Sequence, residues 1–434
     1  MNVKQVAINL ISQVDKGAYS NIALNETFKT LNINSKEKAF MTEIFYGVLR
    51  NKKFLDYIIE KNTKEIKKEW IRNLLRISIY QITFMDSDNK GIVWEATELA
   101  KKYSIAISKF INGTLRNYLR NKDSELKNLA DEKNYEVLYS IPKWFYNILE
   151  KQYRNENLKQ AITSLKKVPY LSVRVNKLKY TEKEFEEFLK EKDIQIIKKV
   201  DTVYYINSGL IINSEEFKTG KIIAQDASSY LAAKNLGAMP NELVLDICAA
   251  PGGKTAVLAE EMKNSGEVIA IDIHQHKIKL IDTNMKKLGI DIVKATVMDA
   301  RNVNKQGRKF DKILVDVPCS GYGVIRKKPE ILYSKNRENI EELAKLQLEI
   351  LNSAADILKD GGELIYSTCT ITDEENTNNI EKFLKEREEF KVEKLYIPKN
   401  VSGDYDSLGG FCINYKEEIM DNFYIIKLKK GEKC

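Results

Sequence analysis

The chain has 434 residues, 43% of them apolar and 30% charged, with a formal net charge of +8, which is length for about three domains of roughly 150 residues. Charges interrupt every apolar stretch before it reaches the ~18 residues of a membrane span or the unbroken core of a secretory signal, so a soluble cytoplasmic protein is expected. Five scattered cysteines (Cys248, Cys319, Cys369, Cys412 and Cys434) exclude a disulfide framework, and two histidines, His274 and His276, exclude a Ser-His-Asp triad or a His-rich metal site. With no metal expected, the chemistry is left to carboxylates, thiols, lysines or an organic cofactor.

The basic excess sits at the front: residues 1–140 carry +6, residues 141–220 carry +4 and residues 221–434 carry −2. Such asymmetry suits a front end that meets a polyanion. Residues 1–140 read as an all-helical domain, with Val3, Val6, Ala7, Leu10, Ile11 and Val14 on one helical face and long periodic stretches after them. Two patches, one holding Arg50 and Asn51, the other Asn112 and Arg116, suit either helix ends or contacts with a nucleic-acid backbone.

Residues 141–220 read as a small α/β module: a helix in PKWFYNILEKQY, a strand in LSVRVN, a helix in EKEFEEFLKEKD, then TVYYINSG and LIINS as paired strands around Ser208-Gly209. Arg174 is a candidate RNA contact or a solvated edge-strand residue. Over residues 221–434, apolar strands (ELVLDIC, EVIAIDI, IVKATVM, FDKILVDV, GGELIYS) alternate with amphipathic helices, predicting a Rossmann-like parallel sheet covered on both faces. Ligands of such sheets bind beyond the carboxyl ends of the strands.

After the first strand stand Cys248, Ala249, Ala250, Pro251, Gly252, Gly253 and Lys254, a glycine turn opening a helix whose N-terminus suits an anion. A nucleotide-triphosphate loop would need glycine where Cys248 stands. Asp272 follows the second strand, placed to accept from ribose hydroxyls, and Asp299 follows the third, placed to receive an adenine amino group; both could instead be helix caps. The absence of GxGxxG favours S-adenosyl-L-methionine over a dinucleotide.

The fourth strand ends at Asp316 with Cys319 close behind, and the fifth ends at Cys369. Two thiols at neighbouring strand ends suit one reaction. C5 of cytosine is too weak a nucleophile to take a methyl group until a thiolate adds to C6 and turns the ring into an enamine. Arg326, Lys327 and Lys328 follow this loop and offer cations to phosphates flanking a flipped-out base.

GAYSNIALNE, FYGVLRNKKFLDYII and KFINGTLRNYLR resemble the NusB-type RNA-binding domain, although Val93-Trp94-Glu95 replaces the family's small residue and Asn before Glu. AQDASSYLAA, DICAAPGGKT, DVPCSG and YSTCT resemble the RNA cytosine-5 methyltransferase family, and the order of domains resembles its bacterial members that act on 16S ribosomal RNA. Val317 and Asp421-Asn422-Phe423-Tyr424 depart mildly from the family pattern. The resemblance implies Cys369 as nucleophile, Cys319 as the thiol that resolves the adduct, Asp316 on the cytosine and beside the cofactor, and Lys254 orienting the base. It further implies a monomer acting on 16S ribosomal RNA or a partly assembled small subunit. Two other readings stand beside it. One is a DNA cytosine-5 methyltransferase using Cys319, which leaves Cys369 without a task; the other is a non-catalytic assembly or antitermination factor.

Overall fold

The structure, a computed structural model, describes residues 2–132, 134–153 and 156–432; Cys434 lies outside them. The chain forms two compact units, one running to Lys166 and including Ile325–Asn336, the other made of Lys167–Val324 and the residues from Arg337 onward. No helix among the described residues is long and apolar enough to cross a membrane.

The first unit is helical, as its periodicity demands. Several of its helices start on side-chain caps: Asn34 and Glu37 form a reciprocal capping box ahead of Ser35–Arg50, and Asp88 and Ser104 cap the helices Asn89–Lys101 and Ile105–Asp131. Helix Glu69–Phe84 is buried at every position from Asn73 to Ile82, which makes it the axis around which the others pack. Buried Arg76 on that axis is neutralised by Asp56 (2.7 Å) and Asp15 (2.9 Å). The segment 325–336 is integral to this unit. Glu330 accepts from Ser20 N (2.9 Å), Arg326 O accepts from Arg50 Nη2 (3.1 Å), Tyr333 Oη donates to Ser140 O (3.0 Å), and Leu332 is 1% exposed.

The second unit holds two sheets. The smaller contains β1 (Leu171–Val175), β2 (Ile196–Val200), β3 (Val203–Ile206) and β4 (Ile222–Ala224) in the antiparallel order β2-β3-β1-β4. This corrects one expectation: LIINS is not a strand, since Leu210–Asn213 is a 3-10 turn. Both edges of β3 are already taken by β1 and β2, and only Ile211 of the run is buried while Leu210 and Ile212 face solvent.

The larger sheet contains β5 (Leu243–Ile247), β6 (Glu267–Asp272), β7 (Val293–Val297), β8 (Phe310–Asp316), β9 (Leu358–Thr368), β10 (Phe390–Glu393), β11 (Asp404–Tyr405), β12 (Phe411–Ile413) and β13 (Phe423–Lys430). Their order is β11-β12-β13-β9-β8-β5-β6-β7, with β10 on β13. Strands β5 to β9 are parallel, and β10 to β13 add an antiparallel flank that the motif reading does not name. Alternate residues feed two cores, Val244, Leu314 and Ile365 on one face and Leu245, Val315 and Leu364 on the other. Each such side chain is worth about 1.5–3 kcal/mol when fully buried. Strand order reverses between β5 and β8, so the crevice at the switch point opens beyond Ile247 and Asp316.

Candidate active site

The turn after β5 is built for close approach of a ligand. Cys248 takes a left-handed φ of +59° and Gly252 one of +99°, conformations that cost a non-glycine residue about 1–3 kcal/mol. Ala249 N bonds back to Ile271 O (2.9 Å) and Gly252 N to Ala249 O (2.8 Å), so the chain folds tightly into helix Gly253–Glu261. Gly252 is the N-cap and supplies no side-chain acceptor, leaving the first amides of the helix available to an anion.

Asp246, fully buried at the end of β5, accepts from Thr255 Oγ1 (2.6 Å) through one oxygen, and its other oxygen has no partner. Burial pushes its carboxyl up to about 7. Cys248 is also pushed up, to about 12, by burial and by Asp316, Asp272 and Asp246, so it stays a thiol. Asp272, 4% exposed at the end of β6, accepts from His274 N (3.2 Å) and pairs with Lys277 (3.4 Å). Asp299 caps the 3-10 turn Ala300–Gln306 and is held by the Arg301 guanidinium through both oxygens, the helix-cap role left open on sequence grounds.

Beyond β8 and β9 the reactive groups converge. Lys254 Nζ donates to Asp316 Oδ2 (2.8 Å), and Ser367 Oγ, across the β8–β9 pair, donates to Asp316 Oδ1 (2.8 Å). Lys254 also lies over the Phe423 ring at 5.5 Å. Burial opposes its charge, but the Asp316 carboxylate outweighs that and raises its pKa, so it remains an ammonium. Cys319 Sγ lies 3.1 Å from Cys369 Sγ, and both residues are half-buried. Contact with Cys369, burial, and the charges of Glu375 and Asp316 hold Cys319 well above the ordinary thiol range.

The family resemblance extends to both units. The family model described as "16S rRNA methyltransferase RsmB/F" matches residues 233–429, "NusB family" matches residues 1–120, and the ferredoxin-like domain of the RsmF/B-like methyltransferases matches residues 141–215. The chain is 34% identical to the "Probable ribosomal RNA small subunit methyltransferase B" of Bacillus subtilis, with 99% of each covered. The chain belongs to the ribosomal RNA small subunit methyltransferase B family. The solved structure of PH0851 superimposes at a TM-score of 0.84 with 30% identity, covering 99% of both chains. NSun6 of Pyrococcus horikoshii, solved with SFG, shares the fold at a TM-score of 0.61 and 22% identity, over 67% of this chain and 99% of that one.

As a member of that family the protein is a methyltransferase whose methyl donor is S-adenosyl-L-methionine. The residues present fit that donor. The uncapped helix start suits its carboxylate, the half-satisfied Asp246 suits a polar cofactor group, and Asp272 suits the ribose. When bound, the donor supplies an electrophilic sulfonium methyl.

Three of the expected RNA contacts need correction. Arg174 is fully buried, its guanidinium pairing with Glu260 and donating to Gln225. Arg50 (8% exposed) and Arg326 (1%) are buried in the helical unit, where they bond to Arg326 O and Ser164 Oγ. A cation enclosed in this way cannot reach a phosphate. Asn51 is half-buried, donating to Gly47 O at its helix end and accepting from Lys166. Arg116 is exposed, whereas Asn112, Lys327 and Lys328 are half-buried. Sequence reasoning missed Glu375 and Gln347, which carry no motif signal of their own; Ser367 stands inside YSTCT, and Asp246 and Thr255 at the ends of DICAAPGGKT, so these three were within reach.

Proposed function

We propose that the protein methylates C5 of a cytosine in 16S ribosomal RNA through a covalent bond between Cys369 Sγ and C6. The observation that carries this reading is the pair of sulfurs 3.1 Å apart at adjacent strand ends, beside the Lys254–Asp316 ion pair. The names of the curated relatives, small-subunit methyltransferases B, support the substrate.

Two sulfurs in contact do not both ionise, and Cys319 is the one held protonated. The Lys254 ammonium lies within electrostatic reach of Cys369, which favours the nucleophilic role this reading gives that sulfur. A Cys369 thiolate would add to C6 and push the ring electrons towards N3, and C5 of the resulting enamine would take the methyl group that the bound donor supplies, its methyl–sulfur bond breaking to leave a neutral thioether. Asp316, kept in place by Lys254 and Ser367, is positioned to accept from the exocyclic amino group of the cytosine, and the Lys254 ammonium offsets the negative charge that builds on the ring. Once Cys369 is a thioether its charge is gone, and Cys319 can release its own proton to solvent. Cys319 then takes the C5 proton, the C6–S bond breaks, and Cys369 leaves as thiolate.

Arg116, Asn112, Lys327 and Lys328, with the +6 charge of residues 1–140, are the RNA contacts of this reading. The RNA is free or within a partly assembled subunit, and the enzyme acts as a cytoplasmic monomer. Cys319→Ala should accumulate a denaturation-resistant protein–RNA adduct in the presence of S-adenosyl-L-methionine, and Cys369→Ala should form none. An adduct that needs Cys319 and survives loss of Cys369 would reverse the two roles. Absence of methylation by the wild type would favour the assembly factor.

A further inference from the structure

We propose that Glu375 is a positioning residue for the resolving thiol: it clamps the Cys319 loop onto the Cys369 strand end so that the two sulfurs face each other. The proposal rests on the reading of Cys319 as the group that resolves the adduct.

Glu375 lies six residues beyond Cys369 and is 0% exposed, so it touches neither solvent nor an incoming base. One carboxylate oxygen accepts from Ser320 N (2.8 Å) and Gln347 Nε2 (2.9 Å), and the other accepts from Ser320 Oγ and from Thr372 Oγ1 (2.7 Å). The same Gln347 amide donates to Pro318 O (2.9 Å). The residues on both sides of Cys319 are thus held by one carboxylate and one amide. On the other strand, Ser320 Oγ meets Thr370 Oγ1 (2.6 Å), next to Cys369, and Tyr366 Oη donates to Glu375 O (2.6 Å).

Four donors converge on the two carboxylate oxygens of Glu375. A glutamine there replaces one acceptor with a donor and sets it against Ser320 or Thr372. The Cys319 loop then loses its anchor, while Cys369, directly after the paired end of β9 and with its carbonyl accepting from Gly323 N (2.9 Å), keeps its place.

The test uses the full chain, unmodified 16S ribosomal RNA and S-adenosyl-L-methionine. With Cys319→Ala as reference, Glu375→Gln should make its first methyl transfer within about threefold of wild type. Its steady-state kcat should fall at least about tenfold, KM should fall with it so that kcat/KM holds, and the denaturation-resistant adduct should build up. Ser320→Ala, which removes one donor and leaves the amide, should shift in the same direction by less. Glu375→Gln placed on Cys319→Ala should add nothing, because both act through one thiol. The proposal is overturned if Glu375→Gln turns over like wild type, or if it forms no adduct while melting at the wild-type temperature. Should Glu375→Gln not fold, wild-type turnover by Ser320→Ala overturns it equally. Absence of adduct in Cys319→Ala itself refutes the mechanism and not the clamp.

Discussion

Replacing Arg174 with alanine separates a structural cation from an RNA-binding one. The Arg174 and Glu260 side chains are 1% and 2% exposed, and the guanidinium also donates to Gln225 Oε1. Glu260 accepts in addition from Lys177 N (3.4 Å), a bond too long to compensate for a missing cation. Removing one partner of a buried pair costs about 3–5 kcal/mol, because the other charge is left in the interior without a counterion. At roughly 2–4 °C per kcal/mol for a body of this size, Arg174→Ala should melt about 6–20 °C below wild type. RNA affinity, measured by filter binding from low to moderate salt on folded protein, should keep its slope against log salt. A phosphate-contacting arginine would instead lower that slope by about 1. Replacing both Arg174 and Glu260 with leucine should recover most of the lost stability. An Arg174→Ala variant with unchanged melting temperature and a reduced salt slope would refute the reasoning and restore the surface reading.

Two further outcomes follow from the site. A Cβ at Gly323 would lie 2.1 Å from Asn422 O and 2.8 Å from Cys369 O, so Gly323→Ala must displace the Cys369 loop; since misplacement by about 1 Å can cost on the order of 100-fold, its methylation rate should drop by about that factor, and wild-type turnover would contradict the packing. Asp246, pushed up by burial from 3.8 to about 7, binds its proton more tightly folded than unfolded. Its contribution is therefore complete below the unfolded value and is lost as pH rises towards 7, by at most about 1.4 kcal/mol per unit. In urea unfolding, the stability of Asp246→Asn relative to wild type should climb from pH 4 to 7 and level off above it; a flat difference would mean that Asp246 is ionised throughout.

The strand-end motifs were legible because a parallel sheet puts its ligand at a place the chain itself announces: the few residues after each apolar strand. Cys248 to Lys254, Asp272, Asp316, Cys319 and Cys369 are local features of that pattern, and their convergence follows once β5, β8 and β9 are neighbours. The helical front end was equally legible from its periodicity. The antiparallel flank β10 to β13 was not, because β10, β11 and β12 are only two to four residues long and their places are fixed by pairing with one another and with β13, which itself pairs with β9.

By itself, then, the sequence determined the architecture, the glycine turn after β5 and the two thiols at neighbouring strand ends, since these depend on spacing over a few residues. Only the tertiary structure decided which cations are surface and which are interior. Arg174 stands 86 residues from Glu260, Arg50 stands 276 from Arg326, and Ser320 stands 55 from Glu375. A basic residue on a strand or helix end reads the same whether it meets phosphate or a buried carboxylate. The difference lies in a partner supplied by a distant part of the chain, and with it in whether water can reach the charge.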